Sequence, residues 1–294
     1  MNGLVIVDKP AGTTSAQVVQ FVKRRLRCKT GHLGTLDPFA TGILPLCLGE
    51  GTKIAQFLNA ADKEYIGTVR LGERTDTGDP TGEIVERAAI PDLDDDALAM
   101  TASRFCGTQR QTPPMYSALK RQGTPLYKLA RQGIEVERED REIFISSLTL
   151  KRVDRANLDF KVSCSKGTYV RVLAEDIAQA SGTVGHLTSL RRTRFGEFGM
   201  NLASTLDDVA DGRFKMIGMR EALGHVREIV LDEVASRRAR RGDAPLLQML
   251  TGGQPDEIAK LVAADGSLAA VVTMESGRGW RFARVFPAPQ PITV

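Results

Sequence analysis

The segment GHLGTLDPFATGILP, residues 31–45, places one acid, Asp37, between Leu36 and Pro38. Pro38 biases Asp37 toward extended backbone, and Gly31, Gly34 and Gly42 free the chain around it, so the carboxylate should project from a shaped loop. Such an acid can close a turn on its own backbone, or act as a base or a nucleophile. Other chemistry is poorly served. Cys28, Cys47, Cys106 and Cys164 stand singly, and His32, His186 and His225 are too few for a multi-histidine metal site or an easily built Ser-His-Asp arrangement. GEGTK, residues 49–53, lacks the phosphate-loop spacing, and its G-x-G has no third glycine of a dinucleotide fingerprint. What remains open is carboxylate chemistry without metal or cofactor.

The loop needs a scaffold on both sides. Leu4 to Val7 reads as a buried strand. Thr14 or Ser15 caps a helix running to about Leu26, with Val18, Val22 and Leu26 as its inner stripe. Beyond the loop, ILPLCLG reads as a strand and Thr52 to about Leu58 as a helix. KEYIGTVRLG, from Lys63, alternates Tyr65, Gly67, Val69 and Leu71 on one face, and EIVER reads as its hairpin partner across a polar turn. DLDDD suits a helix start continuing to about Phe105. Residues 107–133 form a basic, partly irregular excursion with a short helix from about Leu126. REIFISSLTL and LDFKVSCS read as strands. KGTYVR leads into a helix with Val172, Leu173, Ile177 and Ala178 inward, and a last core strand covers Leu190 to Phe198. The expected class is α+β with a largely antiparallel mixed sheet. After about residue 225 the pattern changes to a small β-rich module with one short helix near its start. The division is 1–225 and 226–294.

The 294 residues carry a formal charge of +4, with 42% hydrophobic and 26% charged residues, an ordinary globular composition. The start lacks a charged leader and apolar run, and no apolar stretch approaches roughly 20 residues, so the expectation is a cytoplasmic protein. Three basic clusters, KRRLRCK (23–29), LRRTRFGEF (190–198) and SRRARRGD (236–243), together favour an anionic polymer as partner.

GHLGTLDPFATGILPLCLGEGTK resembles the catalytic motif of the TruB family of tRNA pseudouridine-55 synthases. LVIVDKPAGTTS, DKEY, RLGERTDTGD, QTPPMYSALKRQGTPLYKLARQG, CSKGTYVR and HLTSLRR follow in that family's order over about residues 3–195. The C-terminal module resembles the family's RNA-binding PUA domain. Leu33 departs from the motif, where members often carry threonine.

The resemblance implies an enzyme that detaches uracil from ribose at uridine 55 in the T arm of tRNA and rejoins it through carbon. The enzyme would be a monomer, with no cofactor, membrane or obligate protein partner. Asp37 would be the essential carboxylate, and Arg171 its ion-pair partner, holding it ionised. Tyr65 would stack on the flipped base, Tyr169 line the pocket, Leu190 form an apolar wall and His32 fill the vacated stack. Lys9 and Pro10 would be structural. Tyr116, Lys120, Tyr127 and Arg131 would belong to a mobile clamp over the RNA, and the glycines of the loop would leave room for RNA. The alternatives are a non-catalytic RNA-binding or tRNA-folding protein on the same fold, and a guide-RNA-dependent synthase. The intact Asp37, Tyr65, Tyr169 and Arg171 weigh against the first; the long clamp and the lack of basic tails weigh against the second.

Overall fold

The computed structural model describes residues 1–59 and 61–289. Its chain begins with β1 (Gly3–Lys9), α1 (Ser15–Leu26), β2 (Thr30–His32), β3 (Thr41–Leu48), α2 (Ala55–Leu58) and β4 (Lys63–Leu71). Next come β5 (Glu73–Thr75), β6 (Ile84–Arg87), α3 (Asp95–Phe105), β7 (Gly107–Gln111), β8 (Lys120–Arg121), β9 (Thr124–Pro125) and α4 (Leu126–Ala130). The sheet is completed by β10 (Arg141–Arg152), β11 (Asn157–Cys164), α5 (Val170–Ala180), β12 (Gly185–Phe195), β13 (Phe198–Gly199), β14 (Ala203–Ser204), α6 (Leu206–Ala210) and β15 (Met216–Ile217). The C-terminal part holds α7 (Met219–Ala222), β16 (Arg227–Val230), α8 (Glu233–Arg240), β17 (Ile258–Val262), β18 (Leu268–Glu275) and β19 (Gly279–Val285).

Eleven strands form one mixed sheet in the order β14-β1-β3-β12-β4-β11-β10-β7, with β2, β13 and β15 attached. Pairing is antiparallel except β1 with β14 and β12 with β3. β1 and β3 are near-continuous apolar runs because both their faces are covered. Val5, Val7, Leu44 and Leu46 pack in one core with α1, α3 and α5 residues, whereas Leu4, Ile6 and Ile43 pack in another with Leu268, Val271 and Phe286. The four-stranded C-terminal sheet, β16-β17-β18-β19, is thus joined to the large sheet by shared apolar burial. No helix among the described residues is long and apolar enough to cross a membrane.

α1 begins where its capping box predicts: Thr14 accepts from Gln17 N, and the Gln17 side chain accepts from Thr14 N. α3 starts on Asp94, whose carboxylate accepts from Ala97 N. Four local expectations change. β6 pairs with β5, not β4, because β4 has β11 and β12 on its two edges and no edge left for a hairpin. Residues 49–53 form a 3-10 turn before α2; Gly51 is pressed so close to Gly3 that a Cβ would lie within 2.3 Å of its carbonyl oxygen. The strand expected from Leu190 starts at Gly185 and ends at Phe195. In α5, Val172 is only half-buried: the inward stripe runs through Val170, Leu173, Ala174, Ile177 and Ala178, with Arg171 buried beside it. The short helix near the start of the C-terminal module is α8; residues 290–294 of that module lie outside the described residues.

Candidate active site

Asp37 sits in the connection between β2 and β3, and three separate elements hold that connection from beneath. The Lys9 ammonium, at the end of β1 and fully buried, donates to the carbonyls of Pro10 (3.0 Å), Thr13 (2.6 Å) and Pro38 (3.1 Å). Ser15, at the start of α1, donates to Leu36 O (3.0 Å) and accepts from Leu36 N (2.9 Å). Gly12 N donates to Pro38 O (2.8 Å). Both flanks of Asp37 are therefore pinned. Lys9 is structural, as expected, but it is also a cation buried close to the carboxylate.

Arg171 enters from the first turn of α5. Its Nε donates to Asp37 Oδ2 (2.9 Å) and its Nη2 to Asp37 Oδ1 (3.3 Å), a two-pronged pair that fixes the carboxylate in plane. The remaining donors go to Thr77 O (2.9 Å) and Tyr116 O (2.6 Å), and Nη1 lies 3.7 Å from Asp79 Oδ2. Asp79 is itself buried and accepts from Thr77 Oγ1 and Thr81 N. One guanidinium thus ties the catalytic loop, the RTDTGD segment and the clamp backbone together.

The expected ion pair is present, but its electrostatic result differs. Burial pushes the Asp37 carboxyl above the ordinary aspartate value; Arg171 pulls it down, Asp79 pushes it up again and Lys9 pulls it down more weakly. Arg171 therefore resists protonation of an acid that desolvation would otherwise favour strongly.

A cleft of about 380 Å³ opens over this pair, within the range of about 300 to 1,000 Å³ usual for small-ligand sites. Asp37, Tyr65, Tyr169, Arg171 and Leu190 all line it. Tyr65 is nearly buried on β4 and Leu190 on β12, with Gly67 and Leu190 directly paired across the strands. Tyr169 precedes α5 and is locked by a reciprocal amide pair: Gln111 Nε2 donates to Tyr169 O (3.1 Å), and Tyr169 N donates to Gln111 Oε1 (2.7 Å). Ser117 and Leu119 of the clamp segment form part of the rim, while Lys120, Lys128 and Arg131 point to solvent.

His32 is not among the cleft-lining residues. It ends β2, half-buried, with Nδ1 unpartnered, and burial lowers its pKa, which keeps the ring neutral. The glycines also serve differently from the expectation. A Cβ on Gly42 would lie 2.2 Å from Arg192 O, and one on Gly34 would lie 3.0 Å from the Phe195 ring. Both have positive φ. They let β12 pack against the loop from within the protein.

Three further cations line the cleft without having been singled out in the sequence: the exposed Lys166 and the buried Lys63 and Arg192. Arg192, 1% exposed, donates to Ile43 O (2.7 Å) and Gly34 O (2.8 Å). Lys63 donates to Asn59 O (3.3 Å) and Ala61 O. Both lie over the Phe195 ring, at 4.7 Å for Lys63 and 5.4 Å for Arg192. The parity of their strands carried the signal: Lys63 is two residues before Tyr65, and Arg192 two after Leu190, so each shares its neighbour's face.

The fold around the site, a large mixed sheet with a C-terminal β-sheet module, is shared with solved structures. Among solved structures, the chain aligns with a chain of the H/ACA RNP bound to a substrate RNA containing 2'-deoxyuridine. The TM-score is 0.73 at 23% identity, covering 97% of this chain and 85% of that one. It aligns with a chain of a Cbf5-Nop10-Gar1 complex at TM-score 0.72 and 25% identity, covering 97% and 84%. The chain belongs to the TruB family of pseudouridylate synthases: the family's N-terminal domain matches residues 22–170, and the tRNA pseudouridylate synthase B C-terminal domain matches residues 171–232. A relative in Geobacter sulfurreducens named tRNA pseudouridine synthase B is 41% identical over 303 aligned residues, covering 97% of this chain and all of that one. One of the same name in Psychrobacter cryohalolentis is 51% identical over 215 residues, and a third in Psychrobacter arcticus 50% over 212. These two matches cover 71% and 70% of this chain but span only 60% and 56% of those relatives, less than two thirds of their length.

Proposed function

We propose that this protein isomerises uridine 55 in the T arm of tRNA to pseudouridine, acting alone, with Asp37 as the essential group. The observation that carries the reading is the two-pronged Arg171–Asp37 pair at the base of a cleft walled by Tyr65, Tyr169 and Leu190. A base stacked in an RNA arm cannot reach a carboxylate pinned from beneath, so the nucleotide must be extruded, at a cost of about a few kcal/mol. Tyr65 offers a flat face for the extruded uracil and Leu190 an apolar wall. The neutral His32 ring, outside the cleft, suits the stack that the base leaves. Arg171 keeps the carboxylate ionised and aimed, ready to attack or deprotonate the nucleoside while the base turns. The four-stranded C-terminal sheet serves as a PUA-like RNA-binding module in this reading.

The test is to incubate a transcribed tRNA with the protein and map pseudouridine by the mass shift of its carbodiimide adduct. Adduct at position 55 is expected with the native protein, and Asp37→Asn should abolish it while leaving tRNA binding largely intact. Turnover retained by Asp37→Asn, or no adduct with the native protein, would sink the assignment.

A further inference from the structure

The three basic clusters of the sequence separate once their partners are known. In the C-terminal cluster, Arg237 faces Glu233 (3.6 Å), Arg238 pairs with Asp243 (2.6 Å) and Arg240 with Asp265 (3.2 Å), leaving Arg241 exposed and without an ion pair among the described residues. In the β12 cluster, Arg191 pairs with Asp8 (2.7 Å), Arg192 is buried and Arg194 alone is exposed without an ion pair among the described residues. The α1 cluster is different. The sequence has no acid between Asp8 and Asp37. Lys23, Arg24, Arg25, Arg27 and Lys29 are all exposed, and among the described residues none forms an ion pair.

These cations are arranged on a surface with stacking capacity. Gln17, Gln20, Phe21 and Arg24 follow the three- and four-residue spacing of one helix face and, with Arg25 and the C-cap residue Arg27, line an open groove of about 640 Å³. Phe21 presents its ring to solvent beside the arginines. Arginine against an exposed aromatic suits phosphate contact and base stacking together.

The helix that carries the groove is tied to the Asp37 loop. The N-terminal end of α1 is bonded to Leu36 through Ser15, and its C-terminal end runs through residues 27–29 into β2 and His32. Arg24 lies nine residues beyond Ser15, about 14 Å along the helix axis.

We infer that the exposed face and C-terminal cap of α1, centred on Arg24, Arg27 and Phe21, form a second RNA-binding surface that grips the substrate backbone outside the cleft. The inference rests on the proposed function for the identity of the polymer. RNA is favoured over a lipid surface because α1 is bonded through Ser15 to Leu36 of the Asp37 loop, the loop that meets RNA in the proposed function.

The test compares the full chain with Arg24→Gln/Arg27→Gln and with the control Arg87→Gln, an exposed arginine on β6 that pairs with Glu73 (2.6 Å), measuring tRNA affinity against salt concentration. With two phosphate contacts removed, the slope of log affinity against log salt should become shallower by roughly 1 to 2 in the α1 variant, and KM should rise more than kcat falls. Arg87→Gln should keep the native slope. Phe21→Ala should weaken binding with no change in slope, which separates stacking from charge. Thermal melting of each variant checks folding. An unchanged slope in the α1 variant, or an equal loss in the control, overturns the inference. So does loss of binding to phosphatidylglycerol vesicles with tRNA binding intact, which would assign the face to lipid. Pseudouridine formation by the native protein in the same tRNA tests the underlying reading separately.

Discussion

The two sides of the cleft handle buried charge in opposite ways. On the α5 side, Arg171 faces two carboxylates, Asp37 and Asp79, and its remaining bonds go to main-chain oxygens of two other segments. On the β4–β12 side, Arg192 and Lys63 are buried with no carboxylate in ion-pair range among the described residues; they rest on carbonyls and on the Phe195 ring. The first side is neutralised and rigid, as befits a group that must be aimed. The second leaves net positive charge beside Tyr65, where a flipped nucleotide would bring its phosphate. In the proposed reading one side aims the reagent, and the other holds buried positive charge that an anion would balance.

Arg171→Met tests the neutralised side with the largest effect. It strands the buried Asp79 and the partly exposed Asp37 and unties three segments, so a loss of about 3 kcal/mol, the low end for a buried pair, is expected from urea unfolding. Turnover on tRNA should fall at least about a hundredfold, because misplacing a reacting group by about 1 Å can cost that much. Combining it with Asp37→Asn should recover part of the lost stability. Strict additivity of the two would mean that the pair is not coupled.

Lys63→Met tests the other side through pH. Burial, assisted by Arg192, lowers the Lys63 pKa to about 8 from 10.5. A base whose folded pKa is depressed gives up its proton in the folded state first, so its contribution to stability rises as pH climbs from about 8 to 10.5. Titration of other groups cancels in the difference between native protein and variant. That difference should favour the native protein progressively over this window, by a total on the order of 3 kcal/mol. A flat difference would show that Lys63 is hydrated rather than buried.

The legibility of the two sides was equally unequal. Asp37, Tyr65, Tyr169, Arg171 and Leu190 stood in recognisable motifs, and the strand and helix patterns brought all five to one cleft. Asp79 was hidden inside a segment that reads as a polar turn, and only the fold carries it to Arg171. Arg192 read as part of a surface basic cluster, because local charge density says nothing about which strand neighbours will cover it. Its parity with Leu190 was the available clue. The hairpin of β5 and β6 was misplaced for a related reason: strand partners are chosen by which edges remain free, a property of the finished sheet.

Arg192→Leu should cost less than Arg171→Met. Two carbonyls, Gly34 O and Ile43 O, lose a donor, while removal of a buried charge with no counterion offsets part of that loss, leaving about 1 kcal/mol. Its effect should appear in tRNA binding more than in stability. If unfolding of Arg192→Leu matched that of Arg171→Met, the distinction between the two sides would collapse.

The smallest effect separates the two arginines by pH alone. The ionised Asp37 is the reactive form in the proposed mechanism, and burial places its folded pKa above the ordinary value of about 3.9. Activity should therefore fall with decreasing pH along a limb lying above that value. Arg171→Lys keeps one positive charge but loses the second prong, so the limb should move upward by less than about one pH unit. Arg192 is not among the groups that act on Asp37, and Arg192→Leu should leave the limb in place. A profile of kcat/KM against pH for the three proteins decides the matter. A limb shifted by Arg192→Leu, or unmoved by Arg171→Lys, would mean that the carboxylate is governed from the β4–β12 side of the cleft instead.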